Sequence, residues 1–194
     1  MNSLKKLSLA ASIALLPTIA SAFPIAAVGT EGLSVVVSGT SNIIATYQGN
    51  SAAYSNDLYL GVAAASNPGD EFIFNNHGNN PGDIFDLGSF GVGTELIFRL
   101  HVNNTGYDYY TGAASRNPDN LFHARVQSGW AANTTLVSFE DLYGTPEGIN
   151  GFNDLSFSFT NTTSAPSSVP EPTTLGLFGL GLAGLGLGLR RRKK

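Results

Sequence analysis

The chain has no cysteine among its 194 residues, which excludes disulfide bonds, zinc–thiolate sites and cysteine nucleophiles. Charged residues are scarce, at 12% of the chain, and the only basic ones between the two ends are Arg99, Arg116 and Arg125. The same body holds thirteen of the fourteen acidic residues, so its formal charge is about −10. An acidic domain of this kind repels phosphate backbones, which argues against a nucleic-acid partner. It suits hard cations such as Ca²⁺, which prefer oxygen ligands.

The first 22 residues have the order of parts found in a secretory signal peptide. Lys5 and Lys6 form a basic start, residues 7–16 are almost entirely apolar, and residues 20–22 are small. The apolar run is too short to serve as a permanent membrane anchor. We therefore expect residues 1–22 to direct export, rather than to form a buried N-terminal helix of the fold.

The other end contains the only long apolar run. Residues 173–189 carry no charge and consist mainly of glycine and leucine. As a helix they would measure about 25 Å, slightly less than a hydrocarbon core, and unpaired backbone groups in lipid make the helical state nearly obligatory. The five residues that follow are all basic: Arg190, Arg191, Arg192, Lys193 and Lys194. Because basic flanks stay in the cytoplasm, we expect one transmembrane helix with the acidic body outside. A soluble Gly/Leu tail, the alternative, leaves the five cations unexplained.

The body, residues 23–163, has no sustained helical period. Short segments rich in β-branched and aromatic residues alternate instead with Asn-Pro and Pro-Gly turn sequences. In several of them every second residue is apolar, as at Leu96, Phe98 and Leu100, which is typical of strands with one buried face. The fold class predicted is all-β, an antiparallel β-sandwich or jelly roll. The predicted strands are 33–37, 43–47, 58–62, 71–74, 95–102, 122–126, 134–139 and 155–160.

A Pro- and Ser-rich segment, residues 164–172, is expected to be an extended linker between this domain and the membrane. It ends in Pro170, Glu171 and Pro172, and the Gly/Leu span and the basic cluster follow in that order. These three parts closely resemble the PEP-CTERM sorting signal of Gram-negative bacteria. The resemblance implies that an exosortase recognises the Pro-Glu-Pro tripeptide in the inner membrane and passes the protein to the cell surface or extracellular matrix. Such proteins are often found in biofilm- or exopolysaccharide-forming species. A permanent anchor with a Pro-rich stalk is the alternative.

A second pattern lies near the end of the body. Phe-Glu-Asp at 139–141 is followed by a Gly-containing loop and by Asn-Asp at 153–154. This spacing does not fit an EF-hand loop. It resembles a widespread bacterial exported domain of uncharacterised function, and that resemblance implies a Ca²⁺ site. The implied ligands are Glu140, Asp141, Asn153 and Asp154, with Glu147 and Asn150 as weaker candidates. The alternative is a solvated loop whose Asp and Asn residues cap turns.

The sequence contains little that favours catalysis. His77, His101 and His123 are scattered without metal-type spacing, and no Ser/His/Asp arrangement has local support. Glu140 and Asp141 are adjacent, so in an extended strand they would point to opposite faces, which argues against a glycosidase pair. Four aromatic residues are candidates either for sugar stacking or for core packing: Tyr107, Tyr109, Tyr110 and Trp130.

The function predicted from these features is that of a non-enzymatic protein of the cell surface or extracellular matrix, anchored in the inner membrane before sorting. Its β domain is expected to bind Ca²⁺ or extracellular polysaccharide. A carbohydrate-binding adhesin module is the first alternative, and a secreted hydrolase is the second.

Overall fold

The computed structural model describes residues 22–61, 70–144 and 151–167. The predicted signal peptide lies almost wholly outside these ranges. The predicted transmembrane helix 173–189, the sorting tripeptide, the basic tail and the loop residues Glu147 and Asn150 lie outside them entirely. Among the described residues, no helix has the length and apolar character needed to cross a membrane.

The described residues form two antiparallel sheets that pack face to face, so the prediction of an all-β sandwich is confirmed. The first sheet has the strand order β11-β1-β6-β3-β4, with β7 also paired to β6. Its strands are β1 (Leu33–Val37), β3 (Asn56–Gly61), β4 (Glu71–Asn75), β6 (Glu95–Val102), β7 (Asp108–Tyr110) and β11 (Thr162–Pro166).

The second sheet has the order β5-β2-β10-β9-β8. Its strands are β2 (Ile44–Gly49), β5 (Ile84–Asp86), β8 (Ala124–Ala131), β9 (Thr134–Phe139) and β10 (Leu155–Thr160). A short 3₁₀ turn, Ala114–Arg116, lies in the connection between β7 and β8. Neighbouring strands in both sheets run antiparallel, so the sandwich needs no crossover helix.

The core lies between the sheets and is built largely from aromatic rings. Phe98 of the first sheet stacks on Phe159 of the second with ring centroids 4.0 Å apart. Phe74 and Phe157 form a second stacked pair across the sheets, with centroids 5.9 Å apart. On β6 and β10 every second residue, including Phe98, Phe157 and Phe159, lies in the core, so the period of two predicted the buried faces of these strands correctly. On β4 the same period was wrong, because Phe74 is buried but Phe72 is 46% exposed, and the register between β3 and β4 shifts beside them.

Three strands were not predicted. β5 and β7 have only three residues each, which is too short for a periodic pattern, and β11 consists of Thr, Ser, Ala and Pro. β11 forms because its backbone pairs with β1, from Val37 opposite Thr162 to Leu33 opposite Pro166. Asn161, whose φ of 55° lies in the left-handed region that Asn tolerates, turns the chain from one sheet to the other. The linker therefore begins later than the sequence predicts, because residues 164–166 belong to a strand.

The stacked pair between the sheets generates a stability prediction. Phe159→Ala should lower the free energy of unfolding by about 3–5 kcal/mol, because it removes a fully buried ring and leaves a cavity against Phe98. Urea titration followed by circular dichroism measures this. Ile84→Ala, at a 70%-exposed position on β5, should change the value by less than about 0.5 kcal/mol. Equal losses in both variants would contradict the assigned core.

Candidate functional site

The candidate site forms where β9 ends and β10 begins. Leu155 pairs with Phe139 across these two strands, so the residues that follow Phe139 and those that precede Leu155 meet at one end of the second sheet. Glu140, Asp141 and Asp154 each bring a carboxylate oxygen there, and these three oxygens lie within 4.8 Å of one another.

This convergence corrects one inference from the sequence. Glu140 and Asp141 were expected to point to opposite faces of an extended strand, but β9 ends at Phe139, before either residue. Both carboxylates therefore face Asp154. Three of the four predicted Ca²⁺ ligands are brought together, and the argument from strand geometry against a carboxylate pair is wrong.

Hydrogen bonds from amide groups hold the three carboxylates in place. The backbone N–H of Asp141 donates to Asp154 Oδ2 at 2.8 Å, and the N–H of Leu142 donates to Glu140 Oε1 at 3.1 Å. Asn56, at the start of β3, donates from Nδ2 to Asp141 Oδ2 at 2.8 Å. The site therefore joins both sheets, since β3 belongs to the first and β9 and β10 to the second.

Two of the three carboxylate residues are buried, and Asp154 is half-buried. Glu140 is 1% exposed and Asp141 is 4% exposed. Burial, together with the negative charges of Asp141 and Glu140, raises the pKa of Asp154 to about 8, although the hydrogen bond from the Asp141 backbone opposes this. Burial and the charges of Glu140 and Asp141 thus oppose ionisation of Asp154.

A cavity of about 240 Å³ opens beside the cluster. It is lined by Ser51, Ala53, Tyr54, Asp141, Leu142, Asn153 and Asp154. Asn153, the fourth predicted ligand, thus lines the same cavity as two of the carboxylates. The donor set around it consists of oxygen and amide groups, which is the ligand chemistry that Ca²⁺ prefers.

His123 contacts the backbone of the site. It is fully buried, its Nδ1 lies 3.0 Å from the carbonyl oxygen of Glu140, and its Nε2 lies 2.9 Å from Asp119 Oδ2. Although burial raises the pKa of Asp119, hydrogen bonds from the N–H of Gly144 and from His123 hold it below its usual value. The ring also stacks on Tyr109 at 3.8 Å. His123 therefore fixes the backbone of Glu140, as a structural histidine does.

Sequence reasoning missed Asn56 and Asp119. Asn56 is 85 residues from its partner Asp141 and occupies an ordinary inward position of an alternating strand, so no local pattern identifies it. Asp119 lies in an Asn-Pro-Asp-Asn turn, where its sequence indicates only a bend. Strand pairing, rather than spacing along the chain, brings both to the site.

Comparison with known proteins gives one match, which lies outside the sandwich. No curated protein and no solved structure matches the chain, and the predicted resemblance of the body to an exported bacterial domain is not confirmed. Residues 168–193 match the family model of the PEP-CTERM protein-sorting motif, and this match includes Pro170, Glu171 and Pro172. The motif implies export in a Gram-negative bacterium and processing by an enzyme of the exosortase type. The resemblance to the PEP-CTERM sorting signal is therefore confirmed, and the chain carries a PEP-CTERM protein-sorting motif.

Proposed function

We propose that this protein is a non-enzymatic component of the bacterial cell surface or extracellular matrix whose β-sandwich binds Ca²⁺. Residues 173–189 hold it in the inner membrane until sorting, with the basic tail in the cytoplasm and the acidic domain outside. The exosortase then releases it at the Pro-Glu-Pro tripeptide. Extracellular polysaccharide is the partner class that this destination favours.

The observation that carries the Ca²⁺ proposal is the convergence of three carboxylates within 4.8 Å in a largely buried setting. Buried like charges repel strongly unless a cation or a proton lies between them. A divalent cation with a preference for oxygen would relieve this repulsion.

The residues that would hold the ion are Glu140, Asp141, Asp154 and Asn153. Ca²⁺ takes about six to eight oxygen ligands, so water would complete its shell. The ion would neutralise the cluster and tie the end of β9 to the start of β10. The role of the ion would be structural, because it would stabilise this end of the sandwich and take part in no reaction.

The secreted hydrolase remains the alternative, since close carboxylates also serve as acid/base pairs. The cavity argues against it. At about 240 Å³ it is smaller than the roughly 300–1,000 Å³ typical of pockets that bind organic ligands. A cation with its water shell fits that space better than a sugar substrate does.

The first prediction concerns Ca²⁺ itself. CaCl₂ added to the full chain in detergent should raise the melting temperature, by an amount equivalent to about 2.7 kcal/mol at a hundredfold excess over Kd. The double variant Asp141→Asn/Asp154→Asn should lose this shift, because it replaces two carboxylate ligands with neutral amides of the same size. Differential scanning calorimetry provides the measurement.

The matched control is Asp86→Asn, at an exposed carboxylate on β5, which should keep the full shift. An unchanged melting temperature of the parent with Ca²⁺ would remove the metal proposal. Release of sugar from a polysaccharide by the parent, lost in the double variant, would favour the hydrolase instead.

The second prediction concerns pH in the presence of a chelator. Because the pKa of Asp154 is raised to about 8 in the folded state, the folded protein holds a proton that the unfolded chain releases above about pH 4. The free energy of unfolding should therefore fall as the pH rises from about 4 to 8. Asp154→Asn should flatten this decline, and urea titrations at several pH values measure it. Identical slopes for parent and variant would contradict the raised pKa.

The third prediction concerns sorting. In envelope fractions from cells that contain the exosortase, mass spectrometry should find a mature protein that ends near Pro172. In cells that lack the enzyme, the protein should extend to Lys194. Glu171→Ala should retain the tail in both strains, whereas Ser168→Ala, two residues before the tripeptide, should be processed normally. A parent mass that does not depend on the enzyme would contradict processing.

A further inference from the structure

The outer face of the first sheet carries two side-chain rows that run across its strands. Successive side chains of a strand point to opposite faces of the sheet. Because Leu58 of β3 and Leu100 of β6 point into the core, the residues next to them in sequence face outward. The first row, which we call the aromatic row, crosses β4, β3, β6 and β7. Its members, each paired in register with the next, are Phe72, Tyr59, Arg99 and Tyr110.

The second row, which we call the polar row, lies next to the first on the same face. Its members, again paired in register, are Asn75, Asp57, His101 and Asp108. Neighbouring strands are about 4.8 Å apart, so each row extends roughly 14 Å across the sheet. Alternate residues on a strand are roughly 7 Å apart, so the rows form two parallel lines of different chemistry.

Contacts between neighbours keep the aromatic row in place. The rings of Tyr59 and Phe72 meet edge to face at 5.6 Å, and the Arg99 guanidinium lies 4.2 Å from the centroid of Tyr59. Arg99 is nearly buried and pairs with Asp70 at 2.5 Å and with Asp108 at 2.6 Å. The charge of Arg99 is thus neutralised within the sheet face, where it orients the groups around it.

The polar row is equally ordered. Asp108 Oδ1 lies 2.9 Å from His101 Nδ1 as well as accepting from Arg99. Asn75 donates from Nδ2 to Asp57 Oδ1 at 2.6 Å. Side chains held in this way lose little further conformational freedom when a ligand binds, so they are preorganised donors and acceptors.

Both rows reach the surface, although Arg99 in the aromatic row is only 6% exposed. Phe72 is 46% exposed, and the side chains of His101 and Asp108 are 31% and 23% exposed. At the β7 end the rows lead into an open groove of about 360 Å³, which is within the usual range for ligand sites. The groove is lined by Gly106, Tyr107, Asp108, Tyr110, Arg116, Asn117 and Pro118, and Tyr107 is 39% exposed.

We propose that this face binds a neutral polysaccharide chain laid across the strands. The apolar faces of sugar rings would contact the exposed rings of the aromatic row, and the hydroxyl groups would exchange hydrogen bonds with the polar row. A line of about 14 Å followed by a groove suits an extended chain better than a compact molecule. The charge of the body, about −10, repels polyanions and favours a neutral glycan.

Binding of a neutral glycan would be part of the proposed matrix function, on which this inference rests. The binding face shares no residue with the carboxylate cluster or its cavity. Glycan binding and stabilisation by Ca²⁺ can therefore succeed or fail separately in one protein preparation.

The test is affinity electrophoresis of the full chain in detergent, through gels that contain hydroxyethylcellulose, laminarin or galactomannan. At least one of these neutral polysaccharides should retard the parent. Phe72→Ala/His101→Ala should weaken that binding by about tenfold or more. Phe72→Ala alone, at an exposed position on an edge strand, should fold normally and lose part of the binding. The matched control is Trp130→Ala, which removes a 37%-exposed ring from β8 of the other sheet and should leave binding unchanged.

The proposal would be overturned if none of the three gels retarded the parent, or if Phe72→Ala/His101→Ala bound as tightly as the parent. It would also be overturned if the parent bound alginate, which is a polyanion, more tightly than the neutral polysaccharides. The melting-temperature shift with Ca²⁺ is recorded on the same samples. A shift without glycan binding would remove this inference and leave the Ca²⁺ proposal standing.

Discussion

The antiparallel register between β9 and β10 is the constraint on which the candidate cation site depends. Pairing of Phe139 with Leu155 brings together two chain segments that a loop of more than ten residues separates. Glu140 and Asp141 leave one strand where Asp154 enters the other, so their charges must converge. A shift of one residue in this pairing would also turn Phe157 and Phe159 out of the core. The same packing that stabilises the sandwich therefore holds the carboxylates against their mutual repulsion.

Strand alternation has a second consequence in the first sheet. The residues of β3 and β6 that face inward supply Leu58, Phe98 and Leu100 to the core, and those that face outward form the aromatic and polar rows. A solvated sheet face normally carries scattered polar side chains. Here a nearly buried arginine bridges two aspartates and lies against a tyrosine, which orders the face without covering it. The two proposed sites thus occupy different surfaces of one scaffold.

Charge separates the ends of the chain from its body. Seven of the ten basic residues lie in the N-terminal residues or after residue 189, and the acidic residues lie between these two groups. This division agrees with a sorting motif that ends in a basic cluster, and it leaves the exported domain with an excess of carboxylates. An acidic domain in a matrix is suited to divalent cations and neutral glycans, because it repels polyanionic polymers.

The sequence by itself determined the fold class and the sorting motif, because both depend on local order. Segments rich in β-branched and aromatic residues, several of them with a period of two, located eight strands. Four of these have the bounds found in the structure: 33–37, 95–102, 134–139 and 155–160. The tripeptide, apolar run and basic cluster identified the tag in the same way. Only the tertiary structure decided that β11 pairs with β1, that Asn56 reaches Asp141 across 85 residues, and that four strands align their outward side chains in rows. These features arise from pairing between distant segments, and the local pattern of a strand does not specify its neighbour.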